Sequence, residues 1–195
     1  MKIGVLALQG DFREHLHAIA HCGEVGIEVR RASELDICDA LILPGGESTA
    51  IALLAHNYDL IEPIRARIET GMPTYGSCAG MILLADRLVD GAPGQQTFGG
   101  IDMTVRRNAF GRQVDSFEST LSFNSHNLHA VFIRAPWVED VGSRVEVISS
   151  VTTSDGQSHP VAVRQSHLLA TSFHPELTQD QVVHRYFIDE VCKSR

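Results

Sequence analysis

No two cysteines of this chain stand at C-x-x-C spacing, and no cysteine–histidine pattern matches a zinc module. The four thiols, at positions 22, 38, 78 and 192, stand singly, so neither a disulfide framework nor a structural zinc site is expected. A reduced, cytoplasmic setting is the simplest account. No run reaches eighteen apolar residues, which argues against a membrane-spanning helix. The stretch Ile3–Leu8 is too short for a secretory h-region and reads as a buried first strand. A net charge of -8, with no cluster of Lys and Arg to offset it, weighs against nucleic acid as the main partner. Neither the P-loop lysine nor the dinucleotide glycine fingerprint occurs. No repeat, linker or low-complexity tract divides the 195 residues, so one domain over residues 1–195 is expected.

What is present is an alternation of short apolar runs and helix-like segments. Ile3–Leu8, Ile27–Arg30, Ala40–Leu43 and Met72–Tyr75 read as strands. Between and after them, Phe12–Cys22, Thr49–Leu54, Ile61–Glu69 and a run from Met81 read as helices. In the first of these helices Phe12, Leu16, Ile19 and Ala20 form the expected apolar face. This order predicts right-handed crossovers and a parallel sheet covered on both sides. Beyond residue 91 the pattern changes to short alternating runs at Ile101–Val105, Val131–Ile133, Val145–Ile148, Val161–Val163 and Leu168–Phe173. Asp155-Gly156 signals a turn, and antiparallel strands should join the sheet. Gln181–Val191 reads as a terminal helix, and Leu121–Ala130 as a loop.

Three segments carry chemistry. Gly76-Ser77-Cys78-Ala79-Gly80 sets one cysteine on a small-residue turn between a strand and a helix. That geometry exposes a nucleophile, and helix-start N–H groups favour its thiolate. A buried, inert cysteine is the competing account. Ser172-Phe173-His174-Pro175-Glu176 offers a base, His174, and a carboxylate, Glu176, to fix its tautomer. Pro44-Gly45-Gly46-Glu47-Ser48-Thr49 follows a strand and precedes a helix. Backbone donors at Gly46 and Ala79 would suit a tetrahedral oxyanion; otherwise the segment is a plain loop with Ser48 or Thr49 as helix cap. Arg106, Arg107 and Arg112 form a positive cluster able to hold a carboxylate through a guanidinium fork, or else are solvated surface charge. Cys22, Cys38 and Cys192 read as structural. His15, His17 and His21 have helical spacing, but no metal is expected there.

The ordered set of strings resembles the class I, or triad, glutamine amidotransferases. Within them it resembles the glutaminase subunits of pyridoxal 5'-phosphate synthase. The narrower likeness rests on Gly4–Gly10 with Glu14-His15, Pro44–Thr49, Arg107–Gln113 with Ser116–Glu118, Phe132–Pro136 and Ser172–Thr178. The resemblance implies a three-layer α/β fold with a mostly parallel central sheet, flanking helices and some antiparallel strands. It also implies a Cys78–His174–Glu176 triad, oxyanion N–H groups at Gly46 and Ala79, and glutamine binding by Gly46, Glu47, Ser48, Arg107, Ile133 and Arg134. The implied reaction is hydrolysis of L-glutamine through a γ-glutamyl thioester, with no cofactor. Ammonia would pass to a (β/α)8 synthase that converts ribose 5-phosphate and glyceraldehyde 3-phosphate, in an assembly of twelve glutaminases on a twelve-subunit core. Gln9-Gly10-Asp11 is the stretch expected to transmit contact with that partner. Ser77 departs from the threonine of many relatives. A glutaminase feeding histidine biosynthesis is the nearest enzyme alternative, which the strings at Arg107–Gln113 and Phe132–Pro136 disfavour. A partner-binding protein without catalysis would not need all three triad members.

Overall fold

A computed structural model describes residues 1–110, 116–153 and 156–193. Its strands are β1 (Lys2–Leu6), β2 (Val25–Val29), β3 (Ala40–Leu43), β4 (Thr74–Ser77), β5 (Ala85–Val89), β6 (Ile101–Arg106), β7 (Ser116–Phe123), β8 (His126–Ile133), β9 (Trp137–Val141), β10 (Glu146–Thr152), β11 (Ser158–Gln165) and β12 (Leu168–Thr171). Its helices are α1 (Phe12–His21), α2 (Ala32–Leu35), α3 (Ser48–Asn57), α4 (Ile61–Glu69), α5 (Ala79–Leu84) and α6 (Val182–Tyr186), the last continued by a π-helical stretch, Phe187–Val191.

The central sheet runs β10-β11-β12-β4-β3-β1-β2. Pairings from β12 through β2 are parallel, and β10–β11 and β11–β12 are antiparallel. Two expected antiparallel strands thus extend the sheet. The expected run at Leu168–Phe173 supplies β12 inside the same sheet, and those at Ile101–Val105 and Val131–Ile133 lie in smaller sheets, β5-β6-β9 and the hairpin β7-β8.

Strand periodicity explains the layering. Along β3, Leu41 and Leu43 join one apolar cluster with Ile51, Ile64 and Leu83, while Ala40 and Ile42 join another with Ile19, Phe173 and Phe187. A strand buried on both faces reads as a continuous apolar run because each alternate residue meets a different layer. Helix ends follow local rules. Pro63 sits in the first turn of α4, where its missing N–H costs nothing, and Gly71 accepts a φ of +95° just past the C-terminus.

Two expectations are corrected. Leu121–Ala130 is not a loop. It is most of a hairpin in which Leu121 pairs with Leu128 around a turn at Asn124-Ser125, and Leu121, Phe123, Leu128 and Ala130 are buried. Helix α1 buries His15, Ala18 and Ile19, whereas Ala20 is exposed. The Asp155 half of the expected turn lies outside the described residues.

Candidate active site

Four loops leave the carboxyl ends of parallel strands β1, β3, β4 and β12 and converge, as α/β topology favours. From β4 comes Cys78, at φ +47° and ψ −99°. A non-glycine residue with positive φ is strained, which is how a sharp turn projects its side chain. Glycines on both sides permit this turn. A Cβ on Gly76 would lie 2.9 Å from Met81 N, and one on Gly80 would lie 3.0 Å from the Leu43 carbonyl carbon. The Cys78 amide donates to Thr171 O at 2.8 Å, which locks the turn to β12. Its sulfur stands 3.9 Å from Ile133 O.

His174 follows β12, and its amide donates to Val131 O at 2.9 Å. Pro175 opens a 3-10 turn, Pro175–Leu177, that swings Glu176 back beneath the imidazole. His174 Nδ1 lies 2.8 Å from Glu176 Oε1 and 3.5 Å from Asp11 Oδ2. Burial works against the imidazolium. It is outweighed by hydrogen bonds with Asp11, Cys78 and Glu176, so the basicity of His174 is raised. Burial raises Glu176, and the bond from His174 opposes that rise. Both groups are thus shifted toward holding a proton, and they titrate as one hydrogen-bonded pair.

The loop after β3 is strapped to the loop after β1. Asp11 N donates to Gly45 O at 3.1 Å, and Glu47 N to Gln9 Oε1 at 2.8 Å. Gly45 packs on the His174 ring: a Cβ there would lie 2.7 Å from Nδ1. Gly46 holds φ +145°, closed to most L side chains. Glu47, rather than Ser48 or Thr49, caps α3, accepting from Thr49 N at 3.2 Å and Ala50 N at 2.6 Å. Burial opposes its ionisation, but these bonds and Arg107 hold its carboxyl below the usual range. Ser48 is buried and accepts from Gln95 Nε2 at 3.0 Å.

Arg107 reaches Glu47 Oε1 at 3.0 Å and Gln95 Oε1 at 2.9 Å. The positive cluster therefore divides: Arg106 is held by Asp90 and Glu139 instead, and Arg112 lies outside the described residues. Gln9, Asp11, Gly46, Glu47, Ser48, Cys78, Ala79, Arg107, Ile133, Arg134 and His174 all line one cavity of about 370 Å³, within the usual range for small-molecule sites. Glu176 is buried behind it. Cys38 and Cys192 are buried, and Cys22 half-buried; none of these three lines the cavity. His17 and His21 are exposed on α1, while His15 points inward.

Asp11 was not anticipated as a second carboxylate on His174, nor was the buried partnership of His15. The cavity can hold a small polar molecule with its carbonyl against Cys78 and a charged end near Arg107 or Arg134.

The chain matches the model of the SNO glutamine amidotransferase family over residues 5–193. It is 57% identical over 195 residues to the pyridoxal 5'-phosphate synthase subunit PdxT of a Nocardioides species, covering 99% of this chain and 97% of that protein. PdxT of Salinispora arenicola is 58% identical over 192 residues, covering 97% and 96%. A crystal structure described as a glutamine amidotransferase superposes with a TM-score of 0.89 at 48% identity, over 97% of this chain and 98% of the other. PurLQS from Thermotoga maritima shares the fold, with a TM-score of 0.65 at 16% identity over 93% and 90% of the two chains.

Proposed function

This chain belongs to the SNO glutamine amidotransferase family, and from that premise we propose that it hydrolyses L-glutamine through a Cys78–His174–Glu176 triad and delivers ammonia to a pyridoxal 5'-phosphate synthase partner. The Cys78 thiolate attacks the side-chain amide carbon of glutamine, and the tetrahedral oxyanion forms against the N–H groups of Gly46 and Ala79. His174, as imidazolium, gives its proton to the departing nitrogen, so ammonia leaves and a γ-glutamyl thioester remains. Water, deprotonated by His174, attacks that thioester; glutamate is released and Cys78 is regenerated.

Gly46, Glu47, Ser48, Arg107, Ile133 and Arg134 hold the substrate. Cationic Arg107 and Arg134 suit its α-carboxylate, and Glu47 its α-ammonium. The partner is a (β/α)8 subunit in a twelve-plus-twelve cytoplasmic assembly. It carries the synthase chemistry on ribose 5-phosphate and glyceraldehyde 3-phosphate, so this chain's own share is hydrolysis. In keeping with that setting, no helix among the described residues is long and apolar enough to cross a membrane.

The observation that carries this reading is the lining of one cavity by Cys78 and His174, with Glu176 bonded to His174 at 2.8 Å. The experiment is glutamate release from L-glutamine by the chain alone, by the chain with the synthase, and by Cys78→Ala with the synthase. Release stimulated by the synthase and abolished in Cys78→Ala is expected. No release despite demonstrated binding and a reduced Cys78 would overturn the reading.

A further inference from the structure

Behind the triad lies a row of buried polar groups that the reaction above does not use. His15 on α1 is wholly buried and does not line the cavity. Its Nδ1 stands 3.0 Å from His184 Nε2 on α6. Its Nε2 stands 2.9 Å from Ser77 Oγ and 3.5 Å from Glu176 Oε2. That carboxylate oxygen is buried and has no hydrogen-bond partner among the described residues, nor has His184 Nδ1; the His15 ring faces it at ion-pair rather than hydrogen-bond distance.

The two unmet atoms decide the tautomers. If His15 donated from Nδ1, His184 would carry its proton on Nδ1, where a buried N–H has no acceptor. His15 Nε2 would then accept from the Ser77 hydroxyl, and the buried Glu176 oxygen would have no N–H directed at it. Both consequences are unfavourable. In the opposite arrangement His184 Nε2–H donates to His15 Nδ1, and His15 Nε2–H points to Ser77 and Glu176. The unmet atom on His184 is then only an acceptor.

We propose that His15 is a positioning residue for the triad: His184 orients it, and its Nε2–H, bonded to Ser77 Oγ, also faces the inner oxygen of Glu176 at 3.5 Å and attracts it electrostatically, so that the outer oxygen stays turned to His174. The groups facing His15 are His184 from α6, Tyr75 and Ser77 from β4, and Glu176 from the 3-10 turn, with His174 beyond. His174 is the cation among them in the proposed mechanism, and it lies on the outer oxygen of Glu176, so it does not replace this inner donor. Burial, then His184 and His174, depress the basicity of His15, which keeps it a neutral donor rather than a rival charge for Glu176.

This inference rests on the proposed triad, and its test separates the two. Cys78-dependent glutamate release by the wild-type complex is established first; its absence would sink the triad reading alone. His15→Leu and His15→Gln are then compared in the complex across pH. Loss of the polar group facing this buried carboxylate predicts a fall in kcat of about ten- to a hundredfold for His15→Leu. KM for glutamine should stay within about twofold, since His15 does not touch the substrate.

The bell-shaped pH profile should also narrow on its alkaline side. A Glu176 no longer held toward His174 supports the imidazolium less, so His174 loses its proton at lower pH. Glutamine at position 15, whose amide nitrogen can stand in for Nε2, should restore both rate and profile. Equal impairment of the two variants with an unchanged profile, or an unimpaired folded His15→Leu, would overturn the proposal. Should neither variant fold, ¹⁵N-imidazole spectra of the wild-type chain decide. His15 neutral and protonated on Nε2 from pH 6 to 9 supports the assignment; protonation on Nδ1, or a charged ring, refutes it.

Discussion

Replacing Gly45 by alanine isolates the placement of His174 from its chemistry. Gly45 has an ordinary backbone φ, so alanine costs nothing in conformation. The added methyl would stand 2.7 Å from His174 Nδ1 and 3.1 Å from Asp11 Oδ2. Comfortable van der Waals separation is about 3.5 Å, so the ring or the loop must yield by about 0.8 Å at Nδ1 and by more at Cε1, which lies nearer still. The ring cannot yield cheaply. It is buried, bonded to Glu176 at 2.8 Å, and fixed through its amide to Val131. Misplacement on the scale of 1 Å costs about a hundredfold in rate, whereas overpacking of one methyl costs about 1–3 kcal/mol of stability. Gly45→Ala should therefore fold, melt somewhat earlier and lose most glutaminase activity. Its control is Gly91→Ala, where the new methyl meets only Leu88 side-chain carbons, at 3.4 Å and beyond, and Gln95 Oε1 at 4.0 Å. Glutamate release in the synthase complex, with thermal melts of both variants, makes the comparison. Activity of Gly45→Ala within threefold of wild type would refute the claim that Gly45 seats the imidazole.

Other outcomes follow from the same geometry. Cys78→Ala should abolish glutamine hydrolysis while docking persists and external ammonium still feeds the synthase; Cys78→Gly should melt higher than Cys78→Ala, because the positive φ costs about 1–3 kcal/mol for a residue with a Cβ. Burial pushes His184 down to about 4 from its ordinary 6.5. Its folded form thus binds fewer protons, so its contribution is present above pH 6.5 and lost as pH falls toward 4. The full loss from His184 is roughly 3 kcal/mol, and urea unfolding at pH 7.5, 5.5 and 4.5 should show a slope that becomes shallower, though not flat, in His184→Gln, since buried His15 acts in the same direction. Arg107→Lys forfeits the fork that reaches both Glu47 and Gln95, and steady-state kinetics should show KM for glutamine rising about tenfold with a smaller change in kcat.

Legibility of the fold in sequence followed burial. Ala40–Leu43 and Ile61–Glu69 have the same bounds in sequence and structure because both bury apolar residues at the periods their backbones impose. The hairpin tip was hidden because only one face is buried: Leu121, Phe123, Leu128 and Ala130 alternate with Ser, Asn and His, so the segment reads as polar. The triad residues stood out because glycine, proline and paired functional groups mark them locally. His15 was noted only for its spacing with His17 and His21 and within Glu14-His15; its burial was missed, since apolar periodicity counts only apolar residues and a buried histidine interrupts the face it belongs to. Asp11 was invisible for another reason: its partnership with His174 exists only once β1 and β12 share a sheet.

The interlock of the first and second loops also bears on transplantation. A Cβ on Gly10 would overlap the Gly45 carbonyl, and one on Gly46 would sit 2.9 Å from Gly10 Cα. Each loop thus occupies the space in which the other could have carried a side chain. A designer who grafts Pro44–Ser48 onto another α/β scaffold, without Gln9-Gly10-Asp11, would import a key without its lock. Homologous recombination meets the same constraint, so a crossover between residues 11 and 44 should yield active chimeras only where the parent giving the first segment carries glycine at position 10 and the other carries glycine at positions 45 and 46.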